Sequence, residues 1–133
     1  MRLSLRGGEK IYVNGAVLCV DRRVSIELLN DATFLLETHV MQAHEATTPL
    51  RQLYFVVQLM LMNPTSVGET RALFDAMVAA EEAAFTDGRI LQGLAAVRAQ
   101  VDGARPFDAL KHIRGLLPIE ASVMERARPS RAA

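Results

Sequence analysis

The chain has no tryptophan, two tyrosines and one cysteine in 133 residues. So few rings leave little from which to build an aromatic platform for stacking nucleobases. A single thiol, Cys19, permits no internal disulfide and no cysteine-based zinc cage, and it implies a reducing compartment. An excess of one charge is missing too, because the formal net charge is zero. Met1-Arg2-Leu3-Ser4-Leu5-Arg6-Gly7 is not followed by the roughly 7–15 apolar residues of a secretory leader, so a cytoplasmic protein is expected. Gln58 interrupts the apolar run around Phe55–Met62, which falls well short of the ~20 residues a bilayer span needs. No membrane role follows. What the chain does have is aliphatic bulk: half its residues are hydrophobic, which excludes disorder and suits one domain with a single core.

That bulk concentrates in Thr48-Pro49-Leu50-Arg51-Gln52-Leu53-Tyr54-Phe55-Val56-Val57-Gln58-Leu59-Met60-Leu61-Met62-Asn63-Pro64. Thr48 is a natural N-cap and Pro49 a natural first helical residue, since its missing N–H would have no partner there anyway. Asn63-Pro64 is the stop, because a residue before proline is pushed out of the helical region. Leu50, Leu53, Tyr54, Val57, Met60 and Leu61 recur at helical spacing, and Phe55, Val56, Leu59 and Met62 cover much of the other side. A helix apolar nearly all round is buried nearly all round, as the centre of a domain or of a dimer.

Before this helix the pattern has period two. Leu3 and Leu5 alternate with Arg2, Ser4 and Arg6; Gly7-Gly8 turns the chain; Lys10-Ile11-Tyr12-Val13 alternates again. Asn14-Gly15 is a hairpin signal, since both residues of that turn need positive φ. A two-residue turn sets Val13 opposite Ala16, Tyr12 opposite Val17 and Ile11 opposite Leu18. Neither face of this hairpin is plainly polar, so it wants cover on both sides. Val24-Ser25-Ile26-Glu27-Leu28 and Thr33-Phe34-Leu35-Leu36 complete an antiparallel β-meander over 1–37, and 37–46, with Val40 and Met41 as its only clear anchors, is ambiguous: a connection in which helical turns can form. Cys19 reads as a buried, inert thiol.

After the central helix, Ser66-Val67-Gly68-Glu69 reads as a capping box opening a helix with Leu73, Phe74, Met77 and Val78 inward and Glu81 and Glu82 outward. Thr86 or Asp87 caps a helix with the stripe Ile90, Leu91, Leu94, Val97 and Val101, ended by Gly103. Pro106 opens a last helix that closes before Pro118, leaving 119–133 as a mobile tail with Arg126, Arg128 and Arg131. The expectation is a single α+β domain: a β-meander, then a bundle of about four helices over 48–117.

No constellation of residues looks catalytic, and neither metal nor cofactor is expected. His39 and His44 are five apart, which places them on one face of neither a helix nor a strand. Adjacent Glu81 and Glu82 point about 100° apart on a helix and make no acid/base pair. Gly7-Gly8 lacks the following helix that a phosphate loop requires. The charges are nevertheless unevenly placed. Arg2, Arg6, Lys10, Arg22 and Arg23 face only Glu9 and Asp21 within the first 23 residues. A basic strand edge of this kind suits a phosphate backbone and unpaired bases, so these five are the candidate RNA-binding residues. The alternative is that they guard an exposed sheet edge.

Three separated stretches resemble the FlbT family of flagellar biosynthesis regulators. They are Leu3 to Val17, then Leu28-Leu29-Asn30-Asp31 with Phe34-Leu35-Leu36-Glu37, and then Thr48 to Phe55. The resemblance implies a post-transcriptional regulator acting at the 5′ untranslated region of flagellin mRNA to lower translation and hasten decay, an activator in some bacteria, alongside a FlaF-type protein. Leu3, Leu5, Arg6, Gly8, Glu9, Ile11 and Val13 are also similar to the opening of the carbon storage regulators, intertwined dimers that bind RNA along an edge strand. Two readings stay open. One is an RNA-binding repressor; the other is an adaptor that grips flagellin or a FlaF-type protein, for which Met60 and Met62 offer adaptable side chains. Tyr12, Val17 and Cys19, with Phe55, Leu59 and Met62, exceed what one small domain covers, so a homodimer is expected.

Overall fold

The computed structural model describes residues 2–13, 16–30 and 34–127. Five short strands come first: β1 (Arg2–Leu5), β2 (Lys10–Val13), β3 (Ala16–Cys19), β4 (Val24–Glu27) and β5 (Phe34–Leu36). Two 3-10 turns, Glu37–His39 and Ala43–Glu45, lead to helices α1 (Pro49–Met62), α2 (Val67–Ala84), α3 (Gly88–Asp102) and α4 (Pro106–Ala127). The fold is α+β, as the alternating patterns require. Asn14 and Gly15 lie outside the described residues, but the register on either side is that of a two-residue turn: Val13 opposite Ala16, Tyr12 opposite Val17 and Ile11 opposite Leu18.

All strand pairs are antiparallel, yet they divide into two small sheets, β1-β4 and β3-β2-β5, rather than pairing in chain order. The division follows from which side chains need cover. Leu3 and Leu5 on the small sheet meet Ile11 and Phe34 on the larger one, with Val24 and Ile26 at the margin. On the opposite face of the larger sheet, Leu35 and Tyr12 pack against the helices. The three-stranded sheet is therefore the middle layer, and Phe107 of α4 reaches Phe34 with ring centroids 5.2 Å apart.

Helix α1 is the hub, packed against both α2 and α4, while α3 lies along α4. Thr48 accepts the Arg51 N–H at 3.3 Å and Pro49 takes the first helical position, as its sequence dictates. Leu50, Leu53 and Val57 are fully buried, and so is Gln58. The Gln58 amide has a use: it accepts from the Met41 N–H at 2.7 Å and donates to the Met41 carbonyl at 2.9 Å. Tyr54 donates to the His39 carbonyl at 2.5 Å. Two polar side chains on this largely apolar helix thus fasten the 37–46 connection, satisfying backbone groups that burial would otherwise strand.

Several local expectations are corrected. Ser66 makes no side-chain cap; a 3-10 turn over Pro64–Ser66 replaces it, with Asn63 Nδ2 donating to Ser66 Oγ at 3.0 Å. Gly103 keeps an ordinary backbone, and the left-handed residue after α3 is Ala104, at φ 57°. The last helix does not close before Pro118. Ile119 to Ala127, which the apolar pattern leaves outside it, belongs to α4. Proline inside a helix removes one backbone bond and crowds the preceding turn, a cost of about 3 kcal/mol. Beyond it, Ile119 and Val123 pack on the core, and Glu120 is 2% exposed, accepting from the Leu50 N–H at 2.8 Å and from Thr48 Oγ1 at 2.5 Å. Those contacts offset the proline. Glu120 in effect caps α1 from another helix, where the unpaired N–H groups and the positive end of the dipole favour a carboxylate.

Candidate nucleic-acid interface

The small β1-β4 sheet buries one face and leaves the other in solvent. Leu3 and Leu5 point inward, so Arg2 and Ser4 point outward. Their antiparallel partners place Glu27 beside Arg2 and Ser25 beside Ser4. One step beyond Leu5 and Val24, the same register brings Arg6 beside Arg23. The outer face thus presents Arg2, Ser4 and Arg6 against Glu27, Ser25 and Arg23. Arg22 stands at its corner, where the Gly7-Gly8 turn abuts the Asp21-Arg22 turn: a Cβ at Gly7 would lie 3.3 Å from the Arg22 Cα. A side chain there would press on the Arg22 backbone, so the close approach favours glycine.

The structure therefore brings together four of the five basic residues singled out by charge placement. Lys10 is separate: it lies on the Tyr12 face of the larger sheet, opposite Cys19, and its backbone N–H bonds the Glu37 carboxylate at 2.9 Å. The side chains of Arg2, Arg6 and Arg22 are 73%, 79% and 80% exposed. Each has a carboxylate nearby, Glu27 at 3.6 Å, Glu9 at 3.4 Å and Asp21 at 3.4 Å. The Glu9 carboxyl is held below its ordinary range, first by the Arg6 backbone N–H at 2.6 Å and less by the guanidinium. Exposed pairs of this kind are weak and exchange readily for a phosphate oxygen. Chemically, the face can place several forked donors along an extended anionic chain.

A second electrostatic feature is internal. Glu81 of α2, expected on a solvated face, is 5% exposed, and neither carboxylate oxygen has a hydrogen-bond partner. It shares the spacing of Phe74 and Val78, which puts it on the buried stripe. Burial raises its pKa to about 8, and the Glu120 charge adds to the rise. At neutral pH Glu81 is thus mostly protonated in the folded chain. Among the described residues no three His, Cys, Asp or Glu side chains come together as a metal set, and no helix is long and apolar enough to cross a membrane.

Residues 1–124 match the family described as "Flagellar protein FlbT". The chain belongs to the FlbT family. A relative from Bradyrhizobium diazoefficiens, named "Probable flagellum biosynthesis repressor protein FlbT 2", is 54% identical over 124 residues, covering 93% of this chain and 91% of its own. One from Allorhizobium ampelinum, named "Probable flagellum biosynthesis repressor protein FlbT", is 50% identical, covering 93% of this chain and 83% of its own. One from a Chelativorans species, of the same name, is 52% identical over 127 residues, with 96% and 88% covered. No solved structure matches this FlbT chain.

One more chemical group of this FlbT protein lies elsewhere than the strand alternation suggests. Cys19 is exposed, not buried, because β3 is the edge strand of its sheet and all four of its residues are exposed. Glu120 was legible in principle: Ile113, Leu116 and Glu120 are spaced as one helical stripe that runs straight through Pro118. Of the basic tail, Arg126 lies on α4 and pairs with Asp87 at 3.9 Å, whereas Arg128 and Arg131 lie outside the described residues.

Proposed function

We propose that this FlbT protein is a non-enzymatic, post-transcriptional regulator of flagellin synthesis that contacts the single-stranded leader of flagellin mRNA through the outer β1-β4 face. The observation that carries this reading is Arg2, Ser4 and Ser25 on the exposed face of the β1-β4 sheet, with Arg6 and Arg23 next along the same two strands and Arg22 at the corner. The names of the relatives, which refer to repression of flagellum biosynthesis, support the regulatory role. Phosphate contacts release counterions, so affinity falls with salt by about 0.7 log units per contact and per log unit of salt for single strands. Arg6→Ala with Arg23→Ala, two contacts, flattens that slope by about 1.4. The measurement is binding of the purified protein to the flagellin leader across a salt series. Unchanged affinity and slope in the double variant would remove this face from the interface.

A second reading draws on β3. Val17 and Leu18 are 57% and 51% exposed on an uncharged edge strand whose outer backbone groups are open. Such an edge accepts another strand, either a second copy of the chain in the expected homodimer or a segment of flagellin or a FlaF-type partner. If the protein alone never binds the leader and binds it once that partner is added, the adaptor reading replaces the direct one.

A further inference from the structure

Where the 37–46 connection meets α1 and α4, a cavity of about 150 Å³ is lined by His39, Met41, Glu45, Tyr54, Arg114 and Leu117, among others. Its chemistry is unbalanced. Arg114 is half-buried in the cavity wall, and among the described residues no carboxylate lies within ion-pair reach of it. Arg71, likewise half-buried, is paired with Asp75 and Asp102, whereas Arg51 on α1 is half-buried without an ion pair among the described residues but does not line this cavity. The Arg114 guanidinium hydrogen-bonds the Tyr54 hydroxyl, but its Nη1 is buried with no hydrogen-bond partner. A cation withdrawn from water without a counter-ion is costly, and buried charges are ordinarily paired.

We propose that this cavity binds a phosphate group, held between the Arg114 guanidinium and the His39 ring. The volume equals roughly five waters at ~30 Å³ each, room for one tetrahedral oxyanion. The walls are held in place beforehand. Tyr54 fixes the His39 backbone through its 2.5 Å bond to that carbonyl, and Gln58 clamps Met41 on both sides. Both residues line the cavity and their side chains are close enough to interact: burial first, then the Arg114 charge, hold the His39 imidazole below its ordinary range. An incoming anion reverses the second effect. Glu45 is the one carboxylate in the lining, and its Oε1 already accepts the Gln42 N–H at 2.9 Å. With Tyr54 Oη it offers an acceptor to a protonated phosphate oxygen, which favours a phosphate over an anion with no hydroxyl.

This site lies on the helical side of the middle sheet, away from the β1-β4 face, so it does not depend on that face binding RNA. The test is a titration of the full chain with inorganic phosphate, followed by the His39 ring resonances, with sodium chloride matched for ionic strength. The expected result is a saturable shift of His39 that chloride does not reproduce. Arg114→Gln weakens it at least about tenfold, the loss of one charge-assisted contact. His39→Gln, at an exposed position, serves if the Arg114 variant does not fold; there the saturable response is read at Tyr54 and weakens several-fold. A non-saturating shift, an equal response to chloride, or unchanged affinity in a folded Arg114→Gln protein overturns the proposal. A short single-stranded oligouridine distinguishes the source of the phosphate. If it moves His39 in wild type and in the Arg6→Ala, Arg23→Ala protein alike, the group belongs to an RNA backbone; if inorganic phosphate alone does so, the ligand is a free phosphate.

Discussion

Replacing Glu81 by Gln tests the buried carboxyl most directly. The folded chain holds this group protonated up to a pH of about 8, against an ordinary value of 4.5, because burial penalises its charge and Glu120 repels it. Below about pH 4.5 the group is neutral whether the chain is folded or not, and its stabilising contribution is complete. Between there and about 8 the unfolded chain releases the proton while the folded chain keeps it, so stability falls by about 1.4 kcal/mol per pH unit. Across the whole window the loss approaches about 5 kcal/mol, a large share of the roughly 5–15 kcal/mol that holds a small domain together. Gln has nearly the same shape and cannot ionise. The two proteins should therefore differ little in urea midpoint near pH 4.5, and the Gln variant should pull ahead steadily up to pH 8. Urea unfolding followed by circular dichroism at half-unit steps from pH 4.5 to 9 measures this. A gap that does not vary with pH, or a wild type more stable than the variant at pH 8, would refute the reasoning.

Three further outcomes follow from individual contacts. Gln58→Leu leaves the Met41 N–H and carbonyl unpaired in the interior and should cost about 2–4 kcal/mol, with faster amide exchange across 37–46; a stability change below 0.5 kcal/mol would mean that water replaces the amide. Ala104→Gly should stabilise the protein by about 0.5–1 kcal/mol, since Ala104 holds φ 57° at the end of α3 while Arg105 N–H bonds the Gln100 carbonyl at 2.8 Å; a lower melting temperature would contradict it. Leu18→Lys should leave melting of the monomer unchanged yet abolish self-association, because it places a charge on the open β3 edge; sedimentation showing wild type as a monomer at micromolar concentration would dismiss the dimer.

Features with local causes were legible in the residues themselves. Thr48-Pro49 and Asn63-Pro64 set the ends of α1 because capping and the restriction before proline act within a few residues. The β2-β3 register followed from a two-residue turn, whose length alone decides which side chains face each other. Asp87 caps α3, accepting the Arg89 N–H at 2.9 Å, for the same kind of reason. The tertiary structure decided what depends on distant partners. Strand order is one case: β1 chose β4, and β5 chose β2, because Leu3 and Leu5 needed Ile11 and Phe34 across from them. The passage of α4 through Pro118 is another, since a local penalty is outweighed by a carboxylate that meets the start of α1 across 70 residues of sequence. Exposure also escaped the pattern. Cys19 is uncovered because among the described residues no strand lies beyond β3, and Glu81 is covered because α2 turns that stripe inward; a residue's own letters state its chemistry but not its neighbours. Arg2, Arg6 and Arg23 come together, with Arg22 at the corner, only because β1 and β4 pair, and the charge of Arg114 became informative only when folding left it with no carboxylate among the described residues and its Nη1 without a hydrogen bond.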